Sequence, residues 1–275
     1  MPIGRGGKEE KSIMDQKERR LFLIDSLISE DEGYRGLRIP ADDDGQRRLL
    51  RALMNVRPPK PVSREFLKVQ DEYLHEAIAE RGIVRLSDLE PVQDVIYLWR
   101  GDITELECGA IVNAANSGMT GCYQPCHGCI DNAIHTYAGV QLRLKCAEIM
   151  KRQGHEEPVG SAKITPAYNL PCRYVIHTVG PYVQGRLTEK HCRLLRSCYL
   201  SCLELADSSG IDSIAFCCIS TGVFMFPDDK AAEIAVRAVK EYREDADSSI
   251  KVIFNVYKEK DERIYRRLLL RNSQA

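Results

Sequence analysis

Through residue 93, apolar positions recur at intervals of three and four, the period of a helix with one buried face. Leu21, Ile24, Leu27 and Ile28 predict a first helix, opened by Asp15-x-x-Glu18, a spacing that can close a capping box. Leu49, Leu50, Leu53 and Met54 predict a second over 43–56, ending before Pro58-Pro59-Lys60-Pro61. A third starts at Ser63, runs through Phe66, Tyr73 and Ile78, and stops near Gly82. The turn-rich pieces DEGYRG and RPPKP separate them. Residues 1–93 are therefore expected to form a small helical module or a lid on the rest of the chain. Its charges nearly balance, which argues against a basic nucleic-acid arm.

From residue 94 the pattern changes to short apolar runs alternating with helical periods. Asp94–Trp99 and Ala110–Asn113 read as strands, as do 162–166, 174–179, Ser213–Ile219 and 250–256. A helix fits 130–152, with Ile130, Ile134, Ala138 and Leu142 on one face; others fit 188–208, 228–244 and 259–271. Strands separated by helices imply an α/β fold over 94–275, with a mixed or parallel sheet covered on both faces. Ligands of such folds sit in loops beyond the carboxyl ends of the strands.

Composition narrows the function. Lys+Arg 39 against Asp+Glu 40 gives a net charge of −1, so no overall positive field collects nucleic acid or anionic lipid. A polyanionic ligand would need a local site. No apolar run reaches the ~18 residues of a membrane span, and MPIGRGGKEEKS lacks the apolar core of a secretory signal. A cytoplasmic address is expected, or a nucleocytoplasmic one in a eukaryote. The 11 cysteines are odd in number and begin only at Cys108, which favours reduced thiols over a disulfide framework.

Three segments at predicted strand ends carry candidate chemistry: Gly101-Asp102-Ile103-Thr104, Asn113-Ala114-Ala115-Asn116, and the loop Ser220–Pro227. A carboxylate suits an exocyclic amine such as that of adenine, and asparagine amides suit ribose hydroxyls. A glycine-containing loop running into a helix suits a pyrophosphate, because its N–H groups favour an anion. Each signal alone is a common turn; in order, they describe a nucleotide-diphosphate pocket. Cys122, Cys126, His127 and Cys129 crowd into one short stretch. Two thiolates and a neutral imidazole cancel the charge of Zn²⁺ and leave a coordination position open, the ligand count of a catalytic site. If Cys126 also ligated, the site would be a closed Cys₃His structural one. Cys126-x-x-Cys129 also has the form of a redox motif. Asp131 and His135, four apart, share a helix face; His177 and Phe226 read as core residues.

The segments GDIT, IVNAANSGM, DNAIHTYAG, AKITPAYNLPCRYVIHTVGP and STGVFMFP, in this order over 94–258, resemble a macrodomain, a fold that binds ADP-ribose. The resemblance implies a three-layer α/β/α architecture with a mixed central sheet. Where hydrolytic macrodomains carry a glycine-rich loop after NAAN, this chain has Gly121–Asp131 with its Cys-x4-His-x-Cys frame. That version is similar to the zinc-containing class of protein-ADP-ribosyl hydrolases, whose members carry an N-terminal helical extension. Bacterial members are associated with sirtuin-type ADP-ribosyltransferases and lipoyl-carrier proteins.

The resemblance implies one Zn²⁺ per chain on Cys122, His127 and Cys129, with Cys126 outside the set. It places Asn116 and Asp131 as the catalytic pair beside the distal ribose. Asp102 would hold adenine, with Ile103 beside it among the substrate-binding residues, Asn113 or Asn116 the distal ribose, and Ser220, Thr221, Gly222, Val223 and Phe224 the pyrophosphate and its ribose. The implied reaction removes mono-ADP-ribose from protein side chains, with acidic side chains as the expected attachment, by a chain expected to be monomeric. Rival readings are an ADP-ribose reader, a hydrolase of small ADP-ribose esters and a thiol oxidoreductase.

Overall fold

The computed structural model describes residues 14–271, so the outermost parts of the expected 1–93 and 94–275 segments, including the MPIGRGGKEEKS stretch, lie outside the described residues. Three helices come first: α1 (Gln16–Ser29), α2 (Asp43–Val56) and α3 (Arg64–Arg81). Their ends are set locally. Asp15 accepts from the Glu18 N–H and Glu18 from the Asp15 N–H, both at 2.8 Å, closing the capping box. Ser63 caps α3, and Gly82 ends it at φ 96°, a backbone conformation that suits glycine. The apolar stripes meet in a core of their own, built on Leu23, Ile24, Leu50, Leu53 and Phe66, to which Val140 also contributes.

The chain continues through β1 (Val84–Arg85), β2 (Pro91–Gln93), β3 (Ile96–Arg100), β4 (Leu106–Glu107) and β5 (Ala110–Ala115). Helices α4 (Ile130–Ala138) and α5 (Val140–Gln153) lead to β6 (Ala162–Pro166) and β7 (Tyr174–Val179). Then α6 (Glu189–Ser208), β8 (Ser213–Phe216), α7 (Asp228–Asp245), β9 (Lys251–Val256) and α8 (Glu259–Arg271) follow. Seven strands form one sheet in the order β2-β3-β9-β8-β5-β7-β6, while β1 pairs with β4 alone. β3, β9, β8, β5 and β7 run parallel, and the two edge strands β2 and β6 are antiparallel. Every residue of β8 is buried, as a central strand covered on both faces requires. Helices α6, α7 and α8 pack side by side; α4 and α5 pack against β5 and β6, and α2 and α3 contact α4 from outside. The result is a three-layer α/β/α fold with a mixed sheet.

Two expected elements are shorter than their patterns. The helix expected over 130–152 breaks at Gly139, where φ is 90° and an added Cβ would lie 2.6 Å from Gln70 Nε2. The positive φ, which favours glycine, breaks the helical path. The strand expected over 213–219 ends at Phe216, because the chain turns towards Ser220, held at φ 66°. The short strands β1, β2 and β4 have two or three residues each, too few for a period to be read. Since β3, β5 and β8 are parallel members of one sheet, their carboxyl ends open on the same edge. The three candidate loops meet there.

Candidate functional site

The first loop leaves β3 at Gly101. Asp102 accepts from the Thr104 N–H at 3.0 Å and the Thr104 hydroxyl at 2.7 Å through one oxygen, and from Arg81 Nη2 at 3.0 Å through the other. About a third of its side chain stays exposed (34%), which leaves the carboxylate reachable. Ile103 buries its side chain, so only its backbone can face a ligand. Arg81 comes from α3 and lies 4.0 Å over the Tyr137 ring, so the helical module reaches the first loop.

The second loop centres on Asp131. Asn113 donates to Asp131 Oδ1 at 2.8 Å, and Asn116 donates to Asp131 Oδ2 at 3.2 Å. Asn113 has no exposure and also lies 3.1 Å from His177 Nδ1. Of the two asparagines that the resemblance sets beside the distal ribose, Asn113 is the buried one, bonded to Asp131. Asn116 is exposed; its amide also donates to the Gly121 carbonyl at 3.1 Å, and its oxygen accepts from the Gly118 N–H at 3.0 Å. Burial pushes the Asp131 carboxyl up to about 6, against the opposing pull of the Asn113 bond, the Arg143 charge and the Asn116 bond.

The third loop runs from β8 to α7. The N–H groups of Thr221, Met225 and Phe226 close turns onto Cys218, Gly222 and Ser220. Those of Gly222, Val223 and Phe224 have no partner among the described residues and remain for an anion. Val223 is exposed, and the Phe224 ring meets Tyr182 edge-on at 5.8 Å. Ser220 is buried with an unpartnered hydroxyl, pressed against Gly180, where an added methyl would overlap Ser220 Oγ. Phe226 is buried as a core residue.

Between Asn116 and α4 lies the cysteine- and histidine-bearing loop. Donor atoms of Cys122, His127 and Cys129 lie within 4.8 Å of one another, with Cys122 Sγ 3.5 Å from His127 Nδ1. Tetrahedral zinc, with Zn–S ~2.3 Å and Zn–N ~2.0 Å, would hold sulfur and nitrogen ~3.5 Å apart. The donor set fits that ion. Cys126 turns away: its thiol lies 3.4 Å from the Arg48 carbonyl, outside the group. Cys129 caps α4 by accepting from the Asn132 N–H at 3.4 Å, and Asp131 stands in the first turn of the same helix. The candidate metal site and the carboxylate therefore share one helix start. Burial pushes the Cys129 thiol up to about 12, a preference a coordinated cation would reverse.

Behind Asp131 lies a buried group of His135, Cys146 and His177. His177 Nδ1 accepts from Asn113, so its Nε2 carries the proton and donates to Thr165 Oγ1 at 3.0 Å. That ring is fully engaged as a core histidine. His135 Nε2 lies 3.6 Å from Asp131 Oδ1, beyond hydrogen-bond reach, and neither ring nitrogen has a hydrogen-bond partner among the described residues. Burial holds both imidazoles neutral, with His177 lowered to about 3.

Sequence reasoning missed Arg81, Arg51, Asn55 and Arg143, which tie the helical module to these loops. No local pattern marks them, because their partners are 21 to 89 positions away. Arg143 is the sharpest case: a buried guanidinium that donates to the carbonyls of Thr120, Met54, Asn55 and Arg57.

The three loops described above sit at the carboxyl ends of one mixed sheet, and by the relatives that follow the chain belongs to the macrodomain family. The Macro domain profile matches residues 112–235. The chain is 61% identical over 260 residues to a protein-ADP-ribose hydrolase of Treponema medium, covering 93% of this chain and all of that one. It is 48% identical over 266 residues to a protein-ADP-ribose hydrolase of Staphylococcus aureus (strain MRSA252), covering 96% of this chain and 100% of the relative. Among solved structures, the Trypanosoma brucei macrodomain in complex with ADP-ribose superimposes with a TM-score of 0.62 at 31% identity, over 78% of this chain and 94% of that one.

Proposed function

We propose that this protein is a zinc-dependent hydrolase that releases mono-ADP-ribose from modified protein side chains. The hydrolase class rests on relatives of that name that match along their full length. The zinc dependence rests on one observation: the three donors of Cys122, His127 and Cys129 converge at the start of the helix that carries Asp131. A pure reader of ADP-ribose has no use for such a donor set.

In this reading Asp102 accepts from the adenine amine, and the free N–H groups of Gly222, Val223 and Phe224 hold the pyrophosphate. Phe224, packed edge-on against Tyr182, covers the ribose. The distal ribose then reaches Asn116 and Asp131. Asn113 and Asn116 fix one Asp131 oxygen each, so the carboxylate presents a set orientation to the attacking water or to a ribose hydroxyl. Its raised affinity for a proton lets it accept one near neutral pH. Zinc on Cys122, His127 and Cys129 would supply Lewis acidity at this end of the cleft. Acidic side chains are the proposed attachment sites, because a carboxylate leaves more readily than an amine.

Cys122→Ala and His127→Ala test the reading. Both should lose bound zinc and turnover on a mono-ADP-ribosylated protein while still binding ADP-ribose. Undiminished release of ADP-ribose by either variant would overturn it. No helix among the described residues is long and apolar enough to cross a membrane.

A further inference from the structure

The loop from Asn116 to Cys129 contains no helix or strand, yet the candidate ligands Cys122, His127 and Cys129 lie in its second half. A loop of that kind must be ordered from outside, since fixing each residue costs about 1–2 kcal/mol of conformational entropy. The ordering contacts come from α2, an element of the helical module.

Asn55 is almost fully buried. Its Oδ1 accepts from the Cys126 N–H at 2.9 Å, and its Nδ2 donates to the Thr136 hydroxyl on α4 at 2.9 Å. Cys126 has φ 51°, a left-handed conformation unfavourable for a residue with a side chain, so a specific bond is needed to hold it there. Its neighbour in sequence is His127. Arg51, one turn earlier on α2, donates to the His127 carbonyl at 3.1 Å and to Asn132 Oδ1 at 2.8 Å. Asn132 is fully buried and in turn donates to the Gln124 carbonyl at 3.0 Å, while its N–H meets Cys129 Sγ. Arg143 closes the frame by binding the carbonyls at the end of α2 and the Thr120 carbonyl at the root of the loop.

We propose that Arg51 and Asn55 are positioning residues for the metal site, and that the helical module serves to hold the loop 122–129 in its ligating shape. The inference rests on the zinc reading above. Groups that orient ligands without touching the ion commonly change metal affinity or activity ~10–100-fold when removed. A purely architectural α2 would affect unfolding alone.

The test uses the full chain. Arg51→Ala and Asn55→Ala are loaded with zinc, and their affinity is measured by competition with a chromophoric chelator. Co²⁺-loaded samples are compared by visible absorption, which reports coordination geometry, and ADP-ribose binding by calorimetry serves as the control for folding. The expected result is zinc binding weakened about 10–100-fold with an altered Co²⁺ spectrum, while ADP-ribose affinity stays within about threefold. Arg51→Lys, which keeps the charge and one donor, should recover part of the loss. Arg51 is half-buried, so its variants carry the test if Asn55→Ala does not fold. Variants that melt earlier but hold zinc as tightly as the parent overturn the positioning role alone. A parent chain that binds no zinc overturns the zinc reading as well, so the two failures are distinguishable.

Discussion

Asn113, without any solvent exposure, donates its side-chain amide to Asp131 across 2.8 Å. The bond makes the orientation of the carboxylate a property of the sheet, because Asn113 is a residue of β5 paired with His177 of β7. Replacing Asn113 by Ala should lower turnover about 10–100-fold, the range for a lost hydrogen bond to a charged group of about 1.5–3 kcal/mol. ADP-ribose affinity should change little. Calorimetry beside single-turnover assays checks this; a variant that loses binding and keeps its bound-state rate would show that Asn113 serves recognition.

Asp102 predicts the opposite split. Its side chain stays partly exposed, and among the described residues its hydrogen bonds run to Arg81 and Thr104, not to Asp131 or the cysteine loop. Asp102→Ala should weaken ADP-ribose binding by roughly tenfold, about 1.4 kcal/mol, and leave the single-turnover rate at saturation within a few-fold. If instead the saturated rate collapses with unchanged binding, the adenine assignment is wrong.

Gly180 is expected to tolerate no side chain. A methyl there overlaps Ser220 Oγ, so Gly180→Val must displace the loop that offers N–H groups to the pyrophosphate. Reduced affinity for both ADP-ribose and ADP should follow, with a modest drop in Tm. Affinity for both ligands unchanged from the parent would remove this loop from the binding site.

His177 sets an acid limb on stability. Burial lowers it to about 3, whereas the unfolded chain protonates an ordinary histidine near ~6.5. The folded state thus binds fewer protons between these values. The contribution of His177 is complete above ~6.5 and is lost as pH falls towards about 3, with a slope of at most about 1.4 kcal/mol per pH unit. His177→Gln, measured by urea unfolding between pH 7 and pH 4, should be less stable than the parent at neutral pH yet lose stability less steeply on acidification. Parallel slopes for the two proteins would exclude this origin.

The parts of the fold and site that were legible in sequence are those with local signals. The Asp15-x-x-Glu18 box, Ser63 and Gly82 mark helix ends through bonds a few residues long, and the alternating runs after residue 94 mark the main strands. The Cys122, His127 and Cys129 spacing is local too, and the structure brings those side chains together. What escaped depends on through-space geometry. Nothing near Asn113 says that it points inward; only the pairing of β5 between β7 and β8 does. Gly139 ends a helix by turning to φ 90°, a break that the apolar spacing over 130–152 does not mark. Arg143 reads as one more polar helix position until α2 is docked beside it.

The most direct measurement is a zinc titration. The chain is stripped with a chelator, zinc content is read by elemental analysis at each addition, and release of ADP-ribose from a mono-ADP-ribosylated protein is followed on the same samples. Turnover should be lost in the stripped protein and return in proportion to zinc, levelling at one ion per chain, with Cys122→Ala unresponsive. Full turnover in a demonstrably metal-free sample would contradict the account.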